Sequence, residues 1–323
     1  MARFIVRRLV LLVAALLMIS VVVFAALRVL PGDVASTMAG VHASPGRVEA
    51  LRRQFGLDKP LPIQYWLWLV DLLHGNFGTS VTTGRTVSAL AASRAGVTFP
   101  LIGLGLFMAI AIGVPLGCAA AVSVSARRRS AYQLVAIIGG SVPALWAGSL
   151  MILLLGRGVG IFGLYPSQGF AQAGWSTPRM ALTSLMLPAL TVGIIVGASV
   201  MRYTRSALED VAGSGVIDMA MACGMTRREA MLSTGLRLAA PQLVSVFALT
   251  FAEMITGVMV IENLFALPGL GTGLVTDVGN RDLLAVQGEL MMLAALFLCV
   301  GFLVDIVHRL LDPRLGDGER RMS

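Results

Sequence analysis

The sequence predicts an all-α integral membrane protein with about six transmembrane helices. Apolar residues make up 57% of the chain and charged residues only 13%, whereas a soluble domain carries about 25% charge. The mean hydropathy is +0.84. Long apolar runs recur along the whole chain, and arginines collect in alternate connections between them. Together these observations indicate a polytopic membrane protein.

Six apolar runs are long enough to cross a bilayer as helices, for which about 20 residues are needed. They lie near 9–27, 96–122, 131–155, 181–201, 236–260 and 283–305. The first run follows Arg3, Arg7 and Arg8, as the apolar part of a signal peptide would. It is longer than a signal segment of that kind, and no clear A-x-A site follows. We therefore expect a retained first helix.

The arginines predict the orientation. With six spans and an internal N-terminus, the short outer loops hold only Arg157, Arg179 and Arg281, and the outer segment 31–95 is too long to count in this comparison. The inner segments hold Arg3, Arg7, Arg8, Arg127, Arg128, Arg129, Arg202, Arg205, Arg227, Arg228, Arg237, Arg309, Arg314, Arg320 and Arg321. Because cytoplasmic loops are enriched in basic residues, both termini are expected in the cytoplasm.

The chain divides into four predicted parts. These are the first transmembrane helix (1–30), an external loop subdomain (31–95), a core of five helices (96–305) with a cytoplasmic loop at 202–235, and a cytoplasmic tail (306–323). Repeated Pro-Gly breaks mark the external part, which contains two helical patterns, Ser44 to Leu57 and Gln64 to Leu73. Tyr65, Trp66 and Trp68 are expected to pack and anchor there, with contact to a delivering partner as the alternative.

The sequence offers no catalytic or metal site. Lys59 is the only lysine, and no phosphate-binding glycine loop precedes it, so the chain is not expected to be an ATPase. Cys118, Cys223 and Cys299 have no metal-binding spacing with each other or with a histidine. The scattered arginines do not form the basic face that a nucleic-acid partner needs.

The loop at 202–235 carries strong local structure signals. Ser214 is expected to cap a short helix that runs to about Ala222, and Gly224 to end it in a left-handed turn. Thr226 and Glu229 form a predicted capping box that opens a second helix. Two short helices that meet at a glycine indicate a docking element rather than a tether.

At this point the sequence resembles a known family. Asp218-Met219-Ala220, followed after three residues by Gly224, resembles the EAA loop by which ABC-importer permeases dock on their ATPase subunits. Here Asp stands for the usual Glu, Met stands for the first Ala, and the later proline, Pro241, comes one residue early.

The resemblance extends over nearly the whole chain to the peptide and nickel branch of these permeases. It includes Arg28-Val-Leu-Pro-Gly-Asp33, which is similar to the B-type member of the paired permeases. The other matching segments are Gly56-Leu-Asp-Lys-Pro-Leu-Pro-Ile-Gln-Tyr65, Gly75-Asn-Phe-Gly-Thr-Ser80, Glu262-Asn-Leu-Phe-Ala-Leu-Pro-Gly-Leu-Gly271, Arg281-Asp282, Val286-Gln287-Gly288 and Leu311-Asp-Pro-Arg314.

This resemblance implies a type I ABC importer. Expected partners are a homologous C-type permease, one or two ABC ATPase subunits, an extracytoplasmic substrate-binding protein and the lipid bilayer. ATP and Mg are expected on the ATPase subunits, and this chain is expected to bind no cofactor. The residues expected at the ATPase contact are Asp218, Met219, Ala220, Gly224 and Met225. A helix cap alone is the alternative for Gly224, and buried packing is the alternative for Met225.

The expected cargo is a dipeptide or oligopeptide. Nickel or another metal chelate is the alternative within the same branch. An ATP-independent secondary transporter is the alternative outside it.

Two acids lie within predicted spans, Glu253 and Glu289. A carboxylate at membrane depth is costly, so each should face a cavity or pair with a donor. Structural pairing and the lining of a polar pathway for a cationic substrate are both open readings, and proton coupling is a third.

Overall fold

The computed structural model describes residues 2–29, 34–39, 44–54 and 56–311. Helices dominate, because a backbone that crosses lipid must satisfy its own hydrogen bonds. The helices of the first third are α1 (Ala2–Val29), α2 (Val34–Ala39), α3 (Pro45–Gln54), α4 (Leu61–Leu73) and α5 (Val87–Ala121). Those that follow are α6 (Ala126–Ser141), α7 (Ala144–Leu155), α8 (Pro178–Val211), α9 (Gly215–Ala222), α10 (Arg227–Ala230), α11 (Leu236–Leu264), α12 (Leu270–Gly279) and α13 (Leu283–Leu311).

Four short elements complete the described chain. The strands β1 (Gly156–Arg157) and β2 (Tyr165–Pro166) pair in parallel, and a single 3₁₀ turn spans Gly174–Ser176. A π-helical turn at Met231–Gly235 joins α10 to α11, so one helical segment runs from Arg227 to Leu264. Residues 30–33, 40–43 and 55 and the tail from 312 onward lie outside the described residues. They include the end of the Arg28 to Asp33 motif and most of the Leu311 to Arg314 motif.

The predicted spans are confirmed as helices, with one correction. Five described helices are long and apolar enough to cross a membrane, and α6 with α7 would make a sixth span. The run at 131–155, predicted as one helix, is bent by 102° between Ser141 and Ala144. The cause is local: Pro143 lacks an N–H, and its ring disfavours helical geometry at Val142, which is extended at ψ 123°.

The described chain forms two compact units, and the predicted division at 30, 95 and 305 stays a prediction. The first comprises Met1–Gly96 with Gly269–Phe302, and the second Val97–Pro268 with the described part of Leu303–Ser323. In the first unit, Tyr65 and Trp68 of α4 pack on Phe24 of α1, with ring centroids 5.4 and 5.9 Å from the Phe24 ring. Ser20 and Tyr65 share a 2.8 Å hydrogen bond between their hydroxyls. Trp66 is exposed.

The second unit is built around α8, which packs on α6, α7 and α11. Its main core combines Leu101 and Ile102 of α5, Leu185 and Leu187 of α8 and Phe265, all fully buried. Small residues bring α5 and α8 close together. A Cβ added at Gly117 would lie 2.6 Å from the Thr204 Cβ and 2.7 Å from the Met201 carbonyl oxygen, so this contact needs glycine.

Candidate functional site

The segment predicted to dock, residues 214–226 (the docking segment below), forms a short helix that ends in a tight turn. The helix α9 runs from Gly215 to Ala222 and ends in a Schellman motif. The Met225 N–H donates to the Ala220 carbonyl at 3.2 Å, and the Gly224 N–H donates to the Met221 carbonyl at 3.0 Å. Gly224 has φ +96°, a left-handed conformation that favours glycine. The helix end therefore turns sharply without fraying.

The next turn is fixed by a capping box. The Glu229 N–H donates to the Thr226 hydroxyl at 3.3 Å, and the Thr226 N–H donates to the Glu229 carboxylate at 2.9 Å. Ser214 occupies the N-cap position of α9 with extended geometry, as predicted, but its hydroxyl makes no capping hydrogen bond. The expected side-chain cap at Ser214 is thus wrong, while the box at Thr226 is confirmed.

One side of α9 is anchored and the other is free. Ile217 is buried in a cluster that also contains Leu208 of α8 and Met231 of the π turn. On the opposite side of α9, Met219 is 69% exposed, and Met225, three residues beyond the end of the helix, is 41% exposed. Because two apolar side chains of one anchored segment are exposed to solvent, this surface is suited to docking another protein.

The remaining docking residues flank that surface. Asp218 and Gly224 are exposed, and Ala220 is half-buried. A Cβ at Gly224 would meet nothing within 4 Å, so only its backbone conformation requires glycine. Burial as the alternative for Met225 is not what the structure shows. The five predicted ATPase-contact residues therefore lie within one turn and its preceding helix.

Glu289 lies in a buried ion cluster of the first unit. Its side chain is 1% exposed and pairs with Arg94 of α5. Asp277 of α12 also accepts from Arg94, at 2.7 Å. A Cβ at Gly273 would overlap the Arg94 side chain, so the glycine makes room for the guanidinium. The structure thus gives Glu289 a structural partner.

Glu253 has a different environment, in the second unit. It is exposed on α11, and among the described residues no donor or cation pairs with its carboxylate. It lines a groove of about 260 Å³ together with Ser199, Tyr203 and Thr250. The two acids that the sequence groups together therefore differ: one is paired and buried, and the other faces open space.

Three further buried acids were missed as site candidates. Glu262 accepts a 2.5 Å hydrogen bond from the Thr98 hydroxyl, and Asp277 belongs to the Arg94 cluster. Asp282 accepts from the Ser80 hydroxyl at 2.7 Å and from the Thr82 N–H at 3.0 Å. Glu262 and Asp282 fall within matched family segments, and this was the only signal in the sequence that could have found them.

The hydrogen bonds of Asp282 lower its pKa by more than burial raises it. Burial alone would raise its pKa, but donation by the Thr82 N–H, the Ser80 hydroxyl and the Ala285 N–H lowers the pKa of this carboxyl below its ordinary value. Asp282 also caps α13, because Ala285 is the third residue of that helix. No described group of three or more His, Cys, Asp or Glu side chains could hold a metal ion.

Family models cover most of the chain. Residues 113–317 match the binding-protein-dependent transport system inner membrane component, and residues 1–94 match the N-terminal part of the membrane component of such systems. The chain belongs to this family. It is therefore a permease subunit of a binding-protein-dependent ABC importer and a multi-pass membrane protein.

Relatives of the permease match it from end to end. A Brucella abortus (strain 2308) protein named as a peptide transport system permease is 33% identical over 303 residues, covering 94% of this chain and 95% of the relative. The glutathione transport system permease protein GsiC of Salmonella typhi is 32% identical over 318 residues, covering 98% and 99%. A peptide ABC transporter permease of Sinorhizobium fredii is 32% identical over 315 residues, covering 98% and 99%.

A solved structure confirms the fold of the permease. An inward-facing structure of the MetNI methionine ABC transporter contains a chain that superimposes with a TM-score of 0.54 at 18% identity. The match covers 70% of this permease and 97% of that chain. The type I importer fold predicted from the sequence is thereby confirmed.

Proposed function

We propose that this permease conducts peptides and is driven by an ABC ATPase that docks on α9. The observation that carries the docking proposal is the exposed apolar surface of Met219, on a helix anchored through Ile217, and of Met225 in the turn that follows. Support for the cargo comes from the relatives, whose names specify peptide or glutathione, itself a tripeptide. The companions are a C-type permease, one or two ATPase subunits that carry ATP and Mg, and an extracytoplasmic binding protein.

The anchoring of α9 supports a lever mechanism. Ile217 is buried beside Leu208 near the end of α8 and beside Met231, where the segment leading into α11 begins. A push on α9 would therefore reach two long helices at once. Interdomain movements of this type proceed as rigid-body displacements between two packed arrangements. ATPase closure would in this way change the access of the pathway.

The alternatives have less support. A nickel or metal-chelate cargo shares the same family, but the relatives described above are named for peptides or glutathione. An ATP-independent transporter would need no capped docking helix.

The docking proposal is tested by substituting Met219→Gln in the importer purified with its companions in lipid. We expect ATPase retention and binding-protein-stimulated hydrolysis to fall about tenfold, because a central apolar contact contributes about 1 to 2 kcal/mol. Asp218→Lys should have a similar effect. Retention is measured by size-exclusion chromatography and hydrolysis by phosphate release.

The matched control is Met180→Gln. Met180 is 64% exposed, much like Met219, but it lies near the start of α8, whereas α9 follows the end of α8. The Met180→Gln substitution should leave ATPase retention and hydrolysis unchanged. If Met219→Gln folds normally and retains the ATPase as well as Met180→Gln does, α9 is not the docking site.

The cargo is tested separately in proteoliposomes. Wild-type importer is expected to accumulate dialanine in an ATP-dependent manner and to ignore a nickel chelate. If the importer accumulated the nickel chelate and no dialanine, its cargo would be a metal chelate and not a peptide.

A further inference from the structure

A polar stripe follows one face of α11. Its members recur every three or four residues and are exposed or half-buried; Gln242, Ser245, Glu253, Thr256 and Asn263 are polar, and Leu249 and Val260 between them are apolar. This spacing keeps them on a single helix face. Ser245, Thr256 and Asn263 each donate to a backbone carbonyl of α11 itself at 2.9 Å, so the Glu253 carboxylate is the group of this face that is unsuited to lipid contact.

Glu253 lies in the middle of this stripe. At 1.5 Å per residue it is roughly 16 Å from the C-terminal end of α11, about half of a hydrocarbon core of about 30 Å. Its carboxylate has no described partner. Because an ionised group at that depth must meet water, protein or a ligand, this face of α11 is turned away from lipid.

The groove beside Glu253 has the dimensions of a small subsite. Apolar side chains such as Val192 and Val196 form most of its wall, and Ser199, Tyr203 and Thr250 contribute hydroxyls. Its volume of about 260 Å³ is just below the range of about 300 to 1,000 Å³ for small-molecule pockets. It would accept one end of a peptide rather than a whole oligopeptide.

No cation of the described chain neutralises this carboxylate. Arg202, on the same helix as the groove residue Ser199, donates to the Ser199 hydroxyl at 3.0 Å and to the Ala136 carbonyl at 3.5 Å. Both hydrogen bonds engage the Arg202 guanidinium with α8 and α6 rather than with Glu253. The groove therefore presents the Glu253 carboxylate, which as an anion can only accept hydrogen bonds, with open space in front of it.

We propose that Glu253 binds the ammonium group of a peptide as it passes along the permease. This inference rests on the proposed peptide cargo. The carboxylate accepts hydrogen bonds from the ammonium, while the apolar wall contacts the first side chain. The permease itself thus recognises a free amino group, separately from the binding protein.

The test measures equilibrium binding to the importer assembled with its companion subunits in lipid nanodiscs, without the binding protein. The probe is radiolabelled dialanine, detected by scintillation proximity. We expect Glu253→Gln to weaken binding about tenfold, because it removes a hydrogen-bonded charge. Glu253→Asp, which keeps the charge, should retain most of the affinity.

Two controls make the result specific. Thr256→Val changes the same stripe outside the groove and should leave binding unchanged. N-acetyl-dialanine lacks the ammonium group. On the wild-type protein it should displace the probe about tenfold less well than unlabelled dialanine does. On the Glu253→Gln protein the two competitors should displace the probe equally well. Unchanged affinity in Glu253→Gln, or an equal loss in Thr256→Val, would overturn the proposal.

Uptake of dialanine by the complete importer, measured in parallel, distinguishes a wrong cargo from a wrong binding site. If wild type takes up no peptide, the proposed cargo is wrong. If it takes up peptide but shows no saturable binding in nanodiscs, or if a nickel chelate displaces the probe better than dialanine, only the Glu253 site is refuted.

Discussion

At the scale of single residues, three hydrogen bonds converge on the Asp282 carboxylate. It is buried and accepts from the Ser80 hydroxyl, the Thr82 N–H and the Ala285 N–H. Asp282→Ala should lower stability by about 2 kcal/mol, because three donors, two of them in buried hydrogen bonds, lose their acceptor and α13 loses its cap. Thermal unfolding in detergent measures this, with exposed Asp58→Ala as the control. Equal midpoints for the two variants would contradict it.

The same residue should make stability depend on pH. Its pKa is lowered in the folded state by these hydrogen bonds, despite burial. The stabilisation is therefore fully present above the unfolded pKa of about 3.9 and is lost as pH falls through the lower folded pKa. The gap in unfolding midpoint between wild type and Asp282→Ala should narrow from pH 7 to pH 3. A gap that stays constant would show that ionisation of Asp282 does not contribute.

Variants of Gly224 test whether this residue acts through its backbone conformation or through contact with the ATPase. Gly224→Ala should destabilise α9 by about 1 kcal/mol, because φ +96° is unfavourable for an L residue. Gly224→Asn should cost less, since asparagine tolerates this region. Gly213→Ala is the matched control, because Gly213 also has open space around it and lacks a positive φ.

Stability and ATPase retention then separate the two roles of Gly224. If Gly224→Asn keeps its unfolding midpoint but loses the ATPase, the glycine lies within the contact. If retention follows stability across the variants, it acts as a helix cap only.

Among the elements, the crossing of α5 with α8 gives a clear prediction. Gly117→Ala should destabilise the protein by about 1 to 3 kcal/mol, because its Cβ would lie within 2.7 Å of the Met201 carbonyl oxygen and the Thr204 Cβ. Gly103→Ala, in the same helix, would meet nothing within 4 Å. Thermal midpoints of the two variants should therefore differ, and similar midpoints would mean that the helices do not cross so closely.

The elements also show what sequence patterns can predict. Long apolar runs predicted the spans, because lipid leaves the backbone no other choice. The capping signals at Thr226 and the left-handed turn at Gly224 were equally readable, since both depend on neighbouring residues. The bend at Val142 and Pro143 was missed because hydropathy averages over a proline whose effect is geometric.

On the scale of the whole molecule, contacts between distant segments were out of reach of the sequence. The segments Gly75 to Ser80, Arg281-Asp282 and Val286 to Gly288 meet in the first unit: Ser80 bonds to Asp282, and a Cβ at Gly288 would overlap the Phe77 carbonyl oxygen. Glu253 and Glu289 looked equivalent in sequence because periodicity cannot show which acid finds an arginine. Only the fold separates the paired acid from the open one.

The orientation of the whole chain can be tested with its own cysteines. Cys223 is exposed beside the docking segment, whereas Cys118 is buried and Cys299, though exposed, lies within the apolar span of α13, where an aqueous probe does not reach it. If α9 docks an ATPase in the cytoplasm, a membrane-impermeant maleimide should label Cys223 in inside-out vesicles and not in intact cells. Cys223→Ser should abolish that label, and a bound ATPase should slow the reaction. Labelling of Cys223 only from the outside would reverse the predicted topology, because Arg227 and Arg228 would then face outward with it.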